Sequence, residues 1–254
     1  MTHSEQFSLF NLPETAGSEA STPQVDLSLI PTSAAIPIPP GTFQNMEALQ
    51  EPCGGCQRCD LGKSRTNAVI GRGNPQASLM LIGEGPGQHE DEQGLPFVGK
   101  SGQLLDKILA SVNFDPAQDV YICNVVKCRP PGNRKPENSE MAACLPYLLE
   151  QIRLMDPKLI LLVGATAVQG ILGNKGSLKA GISKLRGKWY PWQDGEGKER
   201  LCMPIFHPSY LLRNQSREKG SPKWLTWQDI QAVRSKYDEL LHLDSLDSEE
   251  DVEF

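Results

Sequence analysis

Ser78-Leu79-Met80-Leu81-Ile82-Gly83, followed at once by Glu84-Gly85-Pro86-Gly87, is the stretch on which the fold turns. A short continuous apolar run closed by glycines reads as a buried strand that ends in a tight turn. Working outward, GQLLDKILASV (102–112) has helical spacing and DVYICNVV (119–126) is strand-like. Apolar residues then recur at three and four from Pro136 to Met155, which predicts a helix. KLILLVG (158–164) reads as another strand, followed by a short helix in ATAVQGILG. KWYPW and RLCMPIF read as later strands, and Leu225 to Leu243 as a final helix. Strands alternating with helices argue for an α/β chain, a three-layer α/β/α sandwich around a small, mostly parallel sheet. In such sheets ligands sit beyond the carboxyl ends of strands. GEGPG follows the first strand, Asn124 falls within the second, and HPSY (207–210) follows a late one.

The chain has 254 residues and a formal net charge of -6, but the charge is unevenly spread. Residues 1–46 hold four acids and residues 238–254 hold eight, with no Lys or Arg in either segment. The 19 acids left between them face all 25 basic residues, a net of +6. A basic centre with acidic ends permits a nucleic-acid partner. The first segment is rich in Pro, Ser and Thr and is expected to be a disordered tail, and 238–254 to be the end of the last helix and an acidic tail. One domain, 47–237, lies between. No apolar run is long enough to span a membrane and MTHSEQFSLF lacks the form of a secretory signal, so the expectation is a cytoplasmic protein with no membrane partner; a monomer is expected.

Seven cysteines are present: Cys53, Cys56, Cys59, Cys123, Cys128, Cys144 and Cys202. CGGCQRC holds two overlapping C-x-x-C pairs, and Cys128 and Cys144 lie 16 positions apart. Thiolates from such distant segments can hold zinc or an iron–sulfur cluster, and spacing does not separate the two. The plain alternative for Cys128 and Cys144 is burial as small core residues. Cys123 and Cys202 sit in apolar strand runs and read as core.

GLPFVGKS, from Gly94 to Ser101, satisfies the P-loop pattern and would make the chain a nucleotidase. Its context argues against that: QHEDEQ rather than a buried strand precedes it, and Pro96 and Phe97 fill the loop. Glu84, bracketed by glycines at a strand end, can activate water. The acidic pair Glu90 and Asp91 reads blandly as a solvated run. Asn124 offers a donor and an acceptor, which suits the edge of a planar base. His207 follows a strand and is held by Pro208.

From Cys56 to about Val233 the chain resembles the family 4, iron–sulfur uracil-DNA glycosylases of the uracil-DNA glycosylase superfamily. The resemblance rests on CQRCDL, GEGPGQHEDEQGLPFVGKSGQLL, NVVKCRPPGNRKP, RGKWY, HPSYLLRN and GSPKWLTWQDIQ, in consistent order. It implies hydrolysis of the N-glycosidic bond of uracil in DNA after extrusion of the base, a step of base-excision repair that leaves an abasic site. It implies a 4Fe-4S cluster on Cys56, Cys59, Cys128 and Cys144, with Cys53 a departure that offers another pairing. It implies stacking of the uracil on Phe97, reading of its edge by Asn124, and His207 facing the oxygen that becomes negative. Glu84 and the backbone of Gly85 would line the same pocket, and Glu90 would crowd the C5 position against thymine. Glu84 is the expected general base, with Glu90 or a mainly electrostatic mechanism as alternatives. Ser209, Tyr210, Leu211, Leu212 and Arg213 are expected to wedge into the DNA, with Arg129 and Arg134 on phosphates. A superfamily branch that traps uracil-DNA covalently has a GEQPG-like motif and a basic insert, and this chain has neither. A non-catalytic, metal-held DNA-binding module is the rival from another class, against which Glu84, Asn124 and His207 together argue. Gln6-Phe7-Ser8-Leu9-Phe10 resembles the peptide by which bacterial repair proteins dock on the sliding clamp.

Overall fold

A computed structural model describes Ala34, residues 38–173 and residues 180–250, with side chains described as far as Leu243. The clamp-like peptide Gln6–Phe10 lies outside the described residues.

Six strands form one sheet: β1 (Arg72–Gly73), β2 (Leu79–Gly83), β3 (Val120–Asn124), β4 (Leu159–Val163), β5 (Tyr190–Gln193) and β6 (Glu199–Ile205). Their order is β1-β3-β2-β4-β6-β5. The four central strands run parallel, and β1 and β5 close the edges antiparallel. The sandwich expected from the alternation of strands and helices is therefore present. Strands β2, β3 and β4 are buried at every position, as two covered faces require.

The helices are α1 (Met46–Gly55), α2 (Leu61–Ser64), α3 (Gln88–Gln93), α4 (Lys100–Ala110), α5 (Asn138–Met155), α6 (Ala165–Ile171), α7 (Ile182–Leu185), α8 (Pro208–Arg213) and α9 (Pro222–Glu250). Alternation along the strands divides the core in two. Met80, Ile82, Ile160 and Leu162 face one layer, with Leu148 and Ile152 of α5 and Val168 of α6. Leu79, Leu81, Leu159 and Leu161 face the other, with Leu105 and Leu109 of α4 and Ile230 and Val233 of α9.

Two boundaries differ from the sequence reading. The expected disordered tail ends too late, because Ile38 and Phe43 are 5% and 1% exposed and join Leu49, Cys53 and Tyr147 in a small third core. The carboxylate of Glu150 accepts the amides of Gly41 (2.9 Å) and Phe43 (3.2 Å), so three scattered apolar residues and one distant acid order a segment that looked like linker. At the other end α9 continues to Glu250, through most of the expected acidic tail, in a stretch without Gly or Pro to stop it. No helix among the described residues is long and apolar enough to cross a membrane.

Candidate active site

All four parallel strands deliver a functional group at their carboxyl ends. Register pairs Gly83 of β2 with Asn124 of β3, and Val163 of β4 with Ile205 of β6. Glu84 follows β2, Gly164 and Thr166 follow β4, and His207 follows β6.

Asn124 is 1% exposed and its Oδ1 has no hydrogen-bond partner. A buried amide oxygen without a donor costs about 1–3 kcal/mol, so its survival at the rim of a sheet marks a place for a ligand. The reason for glycine at 83 is the same site. A Cβ there would lie 2.4 Å from Asn124 Oδ1 and 2.5 Å from Phe97 Cζ. Gly83, noted in the sequence only as one of the glycines bracketing Glu84, thus also leaves room beside Asn124 and Phe97. Gly85 has a different constraint, since its Cβ would lie 2.6 Å from Val126 Cγ2.

Phe97 is buried and sits at φ 55°, a conformation unfavourable for an aromatic residue. Its ring lies 5.9 Å from that of His207, tilted by 32°. Three devices hold it. Arg72 Nε donates to Pro96 O (2.8 Å), and its Nη2 donates to Phe97 O (3.4 Å) and to Asp106 Oδ1 (2.5 Å). Gly102 lets the turn close, because a Cβ there would lie 1.7 Å from Phe97 O. Glu90 accepts the amides of Val98 (3.0 Å) and Gly99 (2.8 Å) on one oxygen and that of Gly87 (3.1 Å) on the other. Arg72 and Asp106 carried no motif and were missed.

The same bonds dispose of the P-loop. The amides that would cradle a phosphate are already held by a carboxylate, and α3, not a strand, precedes the loop. Nor is the acidic run merely solvated. Asp91 is 2% exposed and accepts the amides of Thr66 (2.9 Å) and Asn67 (3.2 Å).

His207 caps α8. Its Nδ1 accepts the Ser209 amide at 3.1 Å and lies 2.8 Å from Ser209 Oγ. An acceptor at Nδ1 leaves the proton of the neutral ring on Nε2. Burial lowers the His207 pKa from its ordinary 6.5, opposed by the charge of Glu84 and aided by Arg213. Gly164, at φ 94°, admits the His207 side chain closely, since a Cβ there would lie 3.1 Å from His207 Cβ. Glu84 is oriented by Thr166, whose hydroxyl donates to Glu84 Oε2.

The expected DNA-facing residues are less uniform. Pro208 and the His207 cap start a helix, where a wedge loop was expected, and its period turns Leu211 inward to 1% exposure, so Leu211 cannot enter the base stack without unfolding α8. Tyr210 is 37% exposed and its ring packs on Phe206, Leu212 is partly exposed, Arg213 is exposed, and Ser209 serves His207. Arg134 gives both terminal nitrogens to Glu140 (2.8 and 2.7 Å), which leaves it a poor phosphate ligand. Arg129 Nε donates to Asn133 Oδ1 (2.7 Å).

A separate cavity has Cys53, Cys56, Cys59, Cys128 and Cys144 in its lining. Cys123 and Cys202 are fully buried in strands instead, as expected. Among the described residues no group of three or more His, Cys, Asp or Glu is arranged to hold a single metal ion. The donor set around the cavity is nonetheless all sulfur, and it is met by N–H groups: Arg65 Nη1 on Cys128 Sγ (3.0 Å), the Lys127 amide on Cys144 Sγ (3.3 Å) and the Arg58 amide on Cys56 Sγ (3.5 Å). Lys127 lines the same cavity at 1% exposure; its ammonium donates to Asn124 O (2.6 Å) and makes no salt bridge among the described residues. A buried ammonium needs a nearby anion. Thiolates answer that need, so the residues fit a soft, thiolate-held metal group.

Residues 70–231 match the sequence model of the Uracil DNA glycosylase superfamily. The chain is 43% identical over 190 residues to a type-4 uracil-DNA glycosylase of Thermotoga maritima, covering 75% of this chain and 93% of that protein. It is 42% identical over 177 residues to one of Sulfurisphaera tokodaii, covering 70% and 80%. A type-5 uracil-DNA glycosylase of Thermus thermophilus is more distant, 30% identical over 155 residues, covering 56% of this chain and 68% of that protein. The chain belongs to the uracil-DNA glycosylase superfamily, in its type-4 branch.

Proposed function

We propose that this protein releases uracil from DNA by hydrolysing its N-glycosidic bond, leaving an abasic site for excision repair. The observation that carries the reading is the unpartnered, buried Asn124 Oδ1 beside the Phe97 ring. Uracil presents N3–H on its Watson–Crick edge and can donate to that oxygen. Cytosine presents a lone pair at N3 and would leave two acceptors facing each other. A base must leave the helix to reach this position, at a cost of a few kcal/mol. Phe97, locked in one conformation before the base arrives, supplies the stacking face.

As the glycosidic bond breaks, its electron pair passes to the uracil ring and negative charge builds on O2. A neutral His207 with its proton on Nε2 is a donor for that charge, and one such donor contributes roughly 3–4 kcal/mol. Water then adds to C1′ and loses its proton. Glu84, oriented by Thr166, is our choice of acceptor for that proton. Glu90 is engaged by three backbone amides, so we assign it to holding the Phe97 wall; its part in excluding thymine is then steric. Tyr210, Leu212 and Arg213 are the α8 residues left for contact with the DNA, with Arg129 beside the cysteine segment.

Cys56, Cys59, Cys128 and Cys144 would hold a 4Fe-4S cluster. A single zinc ion needs four sulfurs at about 2.3 Å, whereas a cluster spreads its ligands around a larger body. When bound it would supply a covalent tie between the segment joining α1 to α2, α5 and the segment after β3. Gln6–Phe10 is proposed to dock on the sliding clamp, and Leu9→Ala/Phe10→Ala protein should then fail to bind purified clamp. The protein is proposed to act in the cytoplasm as a monomer.

The deciding experiment is uracil release from a labelled oligonucleotide by wild type, Asn124→Ala and His207→Ala. Alkali-sensitive sites from wild type, strongly reduced in both variants, support the reading. Retained DNA binding with no release by wild type would turn it into a binding module.

A further inference from the structure

We infer that the groove between α4, α8 and α9 is a subsite for an unpaired nucleotide of the strand that carries the uracil. The inference rests on the glycosylase reading and goes beyond it, because none of the residues assigned above except Leu211 touches this groove.

The groove encloses about 510 Å³. Leu104, Ile108, Leu211 and Ile230 give it an apolar lining, to which two indoles, Trp224 and Trp227, are added. Trp227 is 40% exposed, a large apolar surface left in water beside a concave site. Three cations, Lys107, Arg217 and Lys223, line the same groove and no carboxylate does. Aromatic faces among cations are the composition that binds single-stranded nucleic acid, since every base has a face to stack and every linkage a charge.

Its position suits a flanking nucleotide. α4 starts immediately after Gly99, in the loop that holds Phe97, and α8 is capped by His207. Leu104 and Ile108, which line the groove, lie about 6–12 Å along α4 from its first residue. A strand whose uracil sits between Phe97 and Asn124 can therefore reach Trp227 within one or two nucleotides. An acidic peptide ending in an aromatic would meet the same chemistry. DNA is favoured because the groove adjoins the uracil pocket. The acid-rich end of α9 itself lies about 25 Å from Trp227 along the helix axis, too far to be the occupant.

The test compares kcat/KM of the full-length protein on two single-stranded substrates, one with uracil deep in a long oligonucleotide and one a deoxyuridine carrying only its 5′ and 3′ phosphates. Trp227→Leu should lose about tenfold on the long substrate and nothing on the short one, with an unchanged melting midpoint. Lys107→Gln/Lys223→Gln should lose similarly on the long substrate and flatten its salt dependence. A long oligonucleotide without uracil should quench tryptophan fluorescence in wild type and clearly less in Trp227→Leu, which keeps only Trp224 in the groove. Equal losses on both substrates, no loss on either, or quenching by an acidic peptide in place of the oligonucleotide would overturn the proposal. If wild type releases uracil from neither substrate, the glycosylase reading fails, while the quenching result still decides the groove.

Discussion

The proposed uracil pocket and the cysteine cavity are built from the two ends of one short segment, yet they treat their polar atoms in opposite ways. Asn124 closes β3 and faces the pocket; Cys128, four residues on, faces the cavity. On the pocket side Asn124 Oδ1 is left without a donor and Phe97 is held at a positive φ. On the cavity side the sulfurs of Cys56, Cys128 and Cys144 each receive an N–H, and the cations around them are buried or half-buried. One region withholds satisfaction until a ligand arrives, and the other has its polar partners already in place. Lys127 joins them, lining the cysteine cavity while its ammonium donates to the Asn124 carbonyl. The difference predicts that pocket variants lose rate without losing stability, while cavity variants lose stability first.

The largest effect should come from emptying the cavity. If the cavity holds the proposed cluster, its removal by chelation, or Cys144→Ala, should cost several kcal/mol of stability, because a structural metal's binding energy is folding energy. The denaturant midpoint and the visible charge-transfer absorption should fall together, and activity should follow the folded fraction. Activity lost at full stability would break the comparison. Next, Asn124→Ala should lower kcat/KM by about 10³, roughly 4 kcal/mol of transition-state stabilisation. Its melting midpoint should barely move, since the lost packing is offset by removal of an unsatisfied oxygen. A collapse in stability would mean that Asn124 is a core residue after all. A smaller loss, about tenfold in kcat/KM, is expected for Arg72→Met, which frees the Pro96 and Phe97 carbonyls and leaves Asp106 unpaired. Because a mobile Phe97 weakens capture of the base, KM should carry most of that loss.

How much of this could be read from the sequence depends on the range of the contact. The buried strands and their order of motifs were legible, because continuous apolar runs and strand-end glycines are local signals. Glu84 and His207 were legible for the same reason, each following such a run, whereas Asn124 was read within a strand run (119–126) that the structure ends at Asn124 itself. What Glu90 does was not legible, because its partners are amides three, eight and nine residues away that meet it only after α3 turns the chain. Arg72 reaches Asp106 across 34 residues and lies in no motif. Leu211 was misjudged because exposure within HPSYLLR is set by the helix that His207 caps, and capping depends on the tautomer of one side chain. The ordering of residues 38–46 by Glu150, more than 100 positions on, left no local trace at all.

The smallest effect is a pH limb, and it tests the electrostatics of the pocket most directly. Burial favours the neutral form of His207, so its proton is taken up below the ordinary 6.5. The form with Nε2–H as donor and Nδ1 held by Ser209 should therefore persist as pH falls through 6.5, and kcat/KM should stay level there before dropping in more acid solution. The stability linkage has the same origin. The unfolded chain takes up this proton near the ordinary value and the folded chain only at lower pH, so acid favours unfolding, and the His207 contribution to stability is lost as pH falls below about 6.5. Glu84 acts against burial, since its negative charge raises the His207 value. Glu84→Gln removes that charge, so the acid limb of whatever rate remains should move to lower pH. A limb that moves up would place a cation, and not Glu84, in control of the ring.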